Sequence, residues 1–204
     1  MSAHLFRAST LTTRPILVLL AAATLLASGC VPSRRAIQLD GGFAENPSQS
    51  VVLLPVVDAR FEKLDHVLVS RNVRDAMVLF LREKNYVVKT ERSFAVAPRA
   101  ELGDLSIEEL VSLAPEGTQD PIAIVQVERL QRETEELGLT YRITVSGFLI
   151  DPVTKVVLWQ DRTVGMSSLN GLLTVFSRGA GHYEAALNAV RSLLVSLPDV
   201  TVPK

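Results

Sequence analysis

Val51-Val52-Leu53-Leu54-Pro55-Val56-Val57 is an apolar run of strand length, rich in β-branched residues and without alternation. A strand with one wet face alternates, whereas a continuous apolar run suits a strand covered on both faces, as in α/β proteins. Pro55 has no amide proton to give to a ladder, so it belongs near the strand's end or at a bulge. Asp58 and Arg60 follow at the carboxyl end, where open α/β sheets tend to bind ligands. A turn with a surface ion pair is the plainer reading of these two.

Downstream the period changes. Val73, Ala76, Met77, Phe80 and Leu81 recur at i, i+3, i+4, i+7 and i+8, with Arg71, Asp75 and Arg82 elsewhere, which predicts a helix packing one face on the sheet. Ser70 or Asn72 can cap its start, Lys84 and Asn85 suit its end, and Met77 is core filler. Tyr86-Val87-Val88-Lys89 reads as a second strand, parallel to the first through a right-handed crossover. Ser106 and Glu109 form the capping-box signature of a short helix. Ile122 to Val127 is a third strand. Leu139, Tyr141, Ile143 and Val145, alternating with Thr140, Arg142, Thr144 and Ser146, make its hairpin partner.

The hairpin tip, Gln131 to Gly138, carries Glu133, Glu135 and Glu136. No histidine or further ligand accompanies them, so a solvated turn is expected and no metal site. Asp151-Pro152-Val153-Thr154-Lys155 turns into a fifth strand, Val156-Val157-Leu158-Trp159. A last helix places Tyr183, Ala186, Leu187, Val190, Leu194 and Leu197 on one stripe and stops at Pro198. The expected fold is α/β, a mixed sheet of about five strands in the order β-α-β-α-β-β-β-α with helices packed on it.

The N-terminus is of another kind. Arg7 and Arg14 supply positive charge, no acid occurs before Asp40, and Ile16 to Leu26 is apolar. That run of about eleven residues is short of the roughly 20 a membrane span needs, so it reads as a secretory signal. It ends Leu26-Ala27-Ser28-Gly29-Cys30, small residues before the only cysteine in the chain. This resembles a bacterial lipobox, with Ala27 where Leu is more usual. The resemblance implies cleavage between Gly29 and Cys30, diacylglycerol on the Cys30 thiol and a third acyl chain on the new amino group. Lipidation would consume a thiol that is otherwise a reactive orphan in an exported chain. Several acyl chains, each worth about 0.8 kcal/mol per buried CH₂, anchor stably where one is marginal. Val31 stands where an Asp would retain a lipoprotein in the inner membrane. The resemblance therefore implies the periplasmic face of an outer membrane, the cytoplasmic membrane or the other leaflet being the alternative.

The expected organisation is residues 1–29 as signal, 30–50 as lipidated Cys30 and flexible tether, 51–198 as one domain and 199–204 as a tail. Two of the 21 basic residues and none of the 22 acids leave with the signal, so 19 face 22 and the formal charge is −3. No clustered basic face for nucleic acid is apparent. The mature chain keeps His66 and His182, the latter read as a surface residue. It has no free cysteine and no nucleophile elbow or phosphate loop, so neither an enzyme nor a cofactor is expected. Arg34 and Arg35 belong to a solvated linker.

With the lipobox, the order of elements and the turn Asp151 to Thr154 leading to Val157-Leu158-Trp159, the chain resembles the periplasmic lipoproteins that share the N-terminal fold of TolB. These include the assembly domain of the curli secretion lipoprotein CsgG, the penicillin-binding-protein activator LpoB, the polysaccharide-export lipoprotein PelC and small members of unassigned role, which match best. In that family a glycine commonly follows the threonine of this turn, and here Lys155 does. The resemblance covers about Val51 to Leu197. It implies an assembly, secretion or envelope accessory, oligomerising through sheet edges. The alternative is a monomeric binding module that regulates a periplasmic enzyme or transporter. Between strand five and the last helix, Met166 to Gly181 reads as a loop whose Leu172, Leu173, Val175 and Phe176 are the candidate contact with a partner subunit or membrane. Burial of these side chains within the loop's own core is the equal alternative. A tether of about 20 residues reaches roughly 25 Å, which favours a role close to the membrane.

Overall fold

The computed structural model describes residues 38–60, 66–96, 102–135, 138–170 and 178–201. Arg35–Lys204 forms one compact unit. Its elements run β1 (Gln38–Leu39), α1 (Gly41–Glu45), β2 (Ser50–Leu53), β3 (Val57–Asp58), α2 (His66–Glu83) and β4 (Val87–Thr90). A 3-10 turn (Leu102–Asp104), α3 (Ile107–Ser112), β5 (Ile122–Glu135), β6 (Gly138–Asp151), β7 (Val156–Asn170) and α4 (Arg178–Leu194) follow. The fold is α/β, with one mixed sheet ordered β1-β7-β6-β5-β2-β4 and β3 also paired with β5. Among the described residues it has seven strands where about five were expected.

One extra strand comes from the opening run. β2 lies parallel between β4 and β5, pairing Val52 with Ile122 and Leu53 with Ala123. Leu54 N still donates to Ala123 O at 3.0 Å, Pro55 and Val56 leave the ladder, and β3 rejoins β5 at Val57 opposite Gln126. A proline without an N–H cannot keep the ladder going, so one predicted strand becomes two pieces on the same partner. Both faces of β2 are covered as predicted: Val51 and Leu53 join one core, Val52 and Leu54 the other.

The larger core lies under α2 and α4. Val73, Met77 and Phe80 from α2 and Ala186, Val190 and Leu193 from α4 pack with Leu139, Tyr141, Ile143 and Val145 of β6. The smaller core places Leu102, Leu110 and Leu113 with Ile122, Ile124, Phe148 and Ile150 on the opposite face. The capping box of α3 forms in full, Ser106 Oγ accepting from Glu109 N and Glu109 Oε2 accepting from Ser106 N. The stripe on α4 is rotated from the one expected: Tyr183 is exposed and Leu187 half-buried, while Ala185, Ala189 and Leu193 are fully buried. Small residues, weak in a hydrophobic pattern, are what let this helix lie close to the sheet.

Both ends of the domain extend further than predicted. The tether gives way at Gln38 to β1, which pairs antiparallel with β7. Asp40 then caps α1, accepting from Phe43 N at 2.9 Å, and Phe43 is buried. At the other end α4 stops at Leu194, ahead of Pro198, but the chain stays folded. Lys84 Nζ donates to Leu197 O at 2.8 Å, Tyr86 Oη to Pro198 O at 2.9 Å and Val200 N to Lys84 O at 2.9 Å. Val200 is buried, so residues 199–200 belong to the domain and not to a tail. Burial, reinforced by the Asp199 carboxylate, raises the Tyr86 phenol well above its ordinary value. Trp159 is buried with its Nε1 donating to Ser196 Oγ at 3.0 Å, and that hydroxyl donates to Asp161 Oδ2 at 2.8 Å. This chain of bonds gives the indole N–H the partner it needs inside a core.

Candidate functional site

The hairpin β5–β6 pairs as far as Glu135 with Gly138, and β6–β7 as far as Gly138 with Asn170. Gln131 to Glu135 is therefore strand and not turn, and Met166 to Asn170 is strand and not loop. Backbone pairing does not depend on side-chain polarity, so strongly polar stretches can still complete a ladder that one partner strand has begun. Glu133 sits on β5 with Arg142 Nη2 at 3.6 Å. Glu136 and the side chain of Glu135 lie outside the described residues. Among the described residues no group of three His, Cys, Asp or Glu side chains could hold a metal.

Among the described residues, this extended part of the meander has a helix on one face, while Thr140, Thr144 and Ser146 on the other face are buried without one. α4 packs over β6 and β7 there, with Tyr141 buried and His182 standing edge-on to it, ring centroids 4.3 Å apart. His182, expected at the surface, is buried because α4 begins at Arg178 and carries it over the sheet. On the opposite face no described helix contributes to a core beyond Phe148. That face presents Thr140 hydrogen-bonded to Ser168, their hydroxyl oxygens 3.1 Å apart, beside the exposed Val164 and Met166, 44% and 47% accessible. It also carries Glu128, the extra residue at a bulge between Val127 and Arg129. Glu128 accepts from Arg162 Nε at 2.8 and 2.6 Å. That hydrogen bonding raises the Arg162 guanidinium above its ordinary value, against the effect of burial.

The edge of the sheet is equally unusual. Among the described residues β1 pairs with β7 at Trp159 and Gln160, and Asp40 N donates to Leu158 O at 2.9 Å. Among the described residues nothing pairs with the outer edge of β7 from Asp161 to Asn170. Thr163 to Asn170 contains no charge and no proline, the devices that normally stop an exposed edge from recruiting another strand. The opposite edge strand, β4, has only four residues, Lys89 among them. The signal for this edge was present in the sequence as the alternation Arg162, Val164, Met166, Ser168, but the expected loop boundary at Met166 hid it.

Asp58 and Arg60 form a buried pair and not a surface one. Arg60 is 6% exposed, its Nε and Nη2 each donating to a different Asp58 oxygen at 2.7 Å. This bidentate fork fixes the chain where β3 ends. The predicted cleavage and lipidation residues, Gly29 and Cys30, and the predicted contact residues, Leu172, Leu173, Val175 and Phe176, lie outside the described residues, as does the side chain of His66. No described helix is long and apolar enough to cross a membrane.

No family profile and no curated protein matches the sequence. Solved structures similar in fold include bacterial lipoproteins. A PelC dodecamer from Paraburkholderia phytofirmans is 17% identical with a TM-score of 0.48, covering 82% of this chain and 99% of that one. Lipoprotein GNA1162 from Neisseria meningitidis is 14% identical with a TM-score of 0.44, covering 65% and 94%. The hypothetical protein CT253 from Chlamydia trachomatis is 13% identical with a TM-score of 0.49, covering 72% and 94%.

Proposed function

We propose that the mature chain is an envelope accessory lipoprotein of the TolB N-terminal-like class, anchored through acylated Cys30 at the periplasmic face of an outer membrane. It works by protein contact and not by catalysis, without a cofactor beyond its covalent lipid, and its working form is a homo-oligomer. The observation that carries the contact role is that α4 packs on one face of the far half of β6 and β7 while, among the described residues, no helix packs on the other, which leaves Val164 and Met166 exposed there. The lipobox residues Leu26 to Cys30 support the anchor. The predicted contact residues Leu172, Leu173, Val175 and Phe176 follow directly on β7 in the sequence.

Mass in detergent by light scattering, corrected for bound detergent, tests this for the wild type beside Leu173→Asp/Phe176→Asp and Val164→Asp/Met166→Asp. A wild-type oligomer that falls to monomer in either double variant places the interface on that segment. A wild-type monomer overturns the oligomer and leaves a monomeric module that regulates a partner enzyme or transporter. Separately, Cys30→Ser moves the protein from the membrane fraction to the soluble periplasm if Cys30 is the anchor.

A further inference from the structure

Resting on the homo-oligomeric reading above, we propose that two copies of this chain pack face to face through the helix-free side of β5, β6 and β7, with Arg142 of each copy meeting Glu133 of the other. Two neighbouring rows of side chains cross that face. The register sets Gln131, Arg142 and Met166 in one row and Glu133, Thr140 and Ser168 in the next. All six belong to the face turned away from α4. On β6, Leu139, Tyr141 and Ile143 alternate with Thr140 and Arg142 and lie in the core under the helices, and residues opposite each other in a ladder share a face.

The first row is long, and its central donor is unspent. Among the described residues Arg142 forms no hydrogen bond: its Nε is buried without an acceptor, and Nη2 comes only to 3.6 Å from Glu133 Oε2, too far for one. A guanidinium carries five N–H groups in a planar fork that matches a carboxylate, so this one is far from satisfied. The pair is also open, the Arg142 side chain being 39% and that of Glu133 49% accessible. The second row is short except for Glu133. Thr140 and Ser168 bind each other and keep acceptor capacity on their hydroxyl oxygens.

A two-fold axis running across the strands between these rows lays the long row of each copy over the short row of the other. Gln131 then stands over Glu133, Arg142 over Thr140 with Glu133 one strand away, and Met166 over Ser168. Each contact occurs twice in such an isologous arrangement, so two Arg142–Glu133 pairs form and like charges stay apart. Sheets stack about 10 Å apart, a spacing that suits a long side chain over a short one. Arg and Met are also the residues enriched at interface centres. An acidic segment of a different protein would satisfy Arg142 but press a like charge on Glu133. A second copy satisfies both.

Charge exchange tests the pairing, read as the light-scattering mass of the full chain in detergent, corrected for bound detergent. Arg142→Glu and Glu133→Arg, made separately, each set like charges against each other at both contacts, and each should cut the assembly to half its mass or less. Mixing the two variants in equal amounts makes both contacts opposite in charge again, so the wild-type mass should return, which also shows that both variants fold. The double variant Arg142→Glu/Glu133→Arg should likewise keep the wild-type mass. A wild-type oligomer that neither single variant changes would overturn the pairing, and so would a loss that mixing does not restore. A wild-type monomer would overturn the homo-oligomer itself.

Discussion

Gly165 of β7 meets the backbone of Ala189 in α4 with no space for a side chain, the ideal Cβ falling 2.2 Å from Ala189 N and 2.3 Å from Ala185 O. Backbone cannot step aside as a side chain can, so this contact sets how deeply α4 sits. Gly165→Ala should lift the helix and cost about 3 kcal/mol or more, read as a fall in the urea midpoint. Gly147→Ala is the comparison, because its Cβ would meet the side chains of Leu193 and Trp159 at 3.0–3.1 Å. These can adjust, and a loss of about 1–2 kcal/mol is expected. Equal effects would refute the backbone contact as the special one.

Arg60 is the partner of a carboxylate that shares its burial. Removing one member of a buried pair takes from the other charge its bidentate partner, so Arg60→Ala should destabilise the fold by about 3 kcal/mol in chemical denaturation. The double change Asp58→Asn/Arg60→Gln removes both charges and should cost less than the single one. If it costs more, the pair is a net stabiliser beyond mutual neutralisation.

Lys155 closes the β6–β7 turn with φ at +55°, the left-handed conformation glycine adopts without strain. The turn keeps the geometry of a glycine although the residue is lysine. Its contact with Glu108, at 3.8 Å between exposed side chains, adds little. Lys155→Gly should raise stability by about 1 kcal/mol, measured by thermal or urea unfolding, and a loss would show that the side chain matters more than the backbone.

Two carboxylates bind the turns to the sheet and make stability depend on acid. Lys89 and then Ser50 hydrogen-bond Asp120 and hold its carboxyl below the usual range. Burial raises the Asp151 carboxyl, but Thr154 and the amides of Val153 and Thr154 outweigh it and leave it lowered. A lowered folded value gives stability that is present above the unfolded value, near pH 4, and is lost as pH falls through the folded one. The urea midpoint should therefore fall between pH 5 and pH 3, and fall less in Asp120→Asn/Asp151→Asn. An unchanged acid dependence in the double variant would assign it to other groups.

Much of the α/β architecture was legible in local pattern. Val51 to Leu54 announced a strand covered on both faces, and both faces are covered. Val73, Ala76, Met77, Phe80 and Leu81 announced the face of α2, all of them buried. The capping box at Ser106 formed as written, since a cap is decided within four residues. What failed were boundaries set by partners distant in sequence. Leu139 to Val145 show their alternation locally, but the run from Arg162 to Asn170 becomes strand because β6 is already there to pair with it.

The sequence by itself determined the class of fold, the order of its principal elements and the lipobox pattern ending at Cys30, because periodicity and short motifs are properties of neighbouring residues. Tertiary structure alone decided that Gln38 meets Gln160, that Gly165 admits α4, that Asp58 and Arg60 are buried together, and that the outer edge of β7 lacks a partner among the described residues. Each of these depends on which surfaces the folded chain brings together, and contacts across so many residues leave no period for local reading to detect.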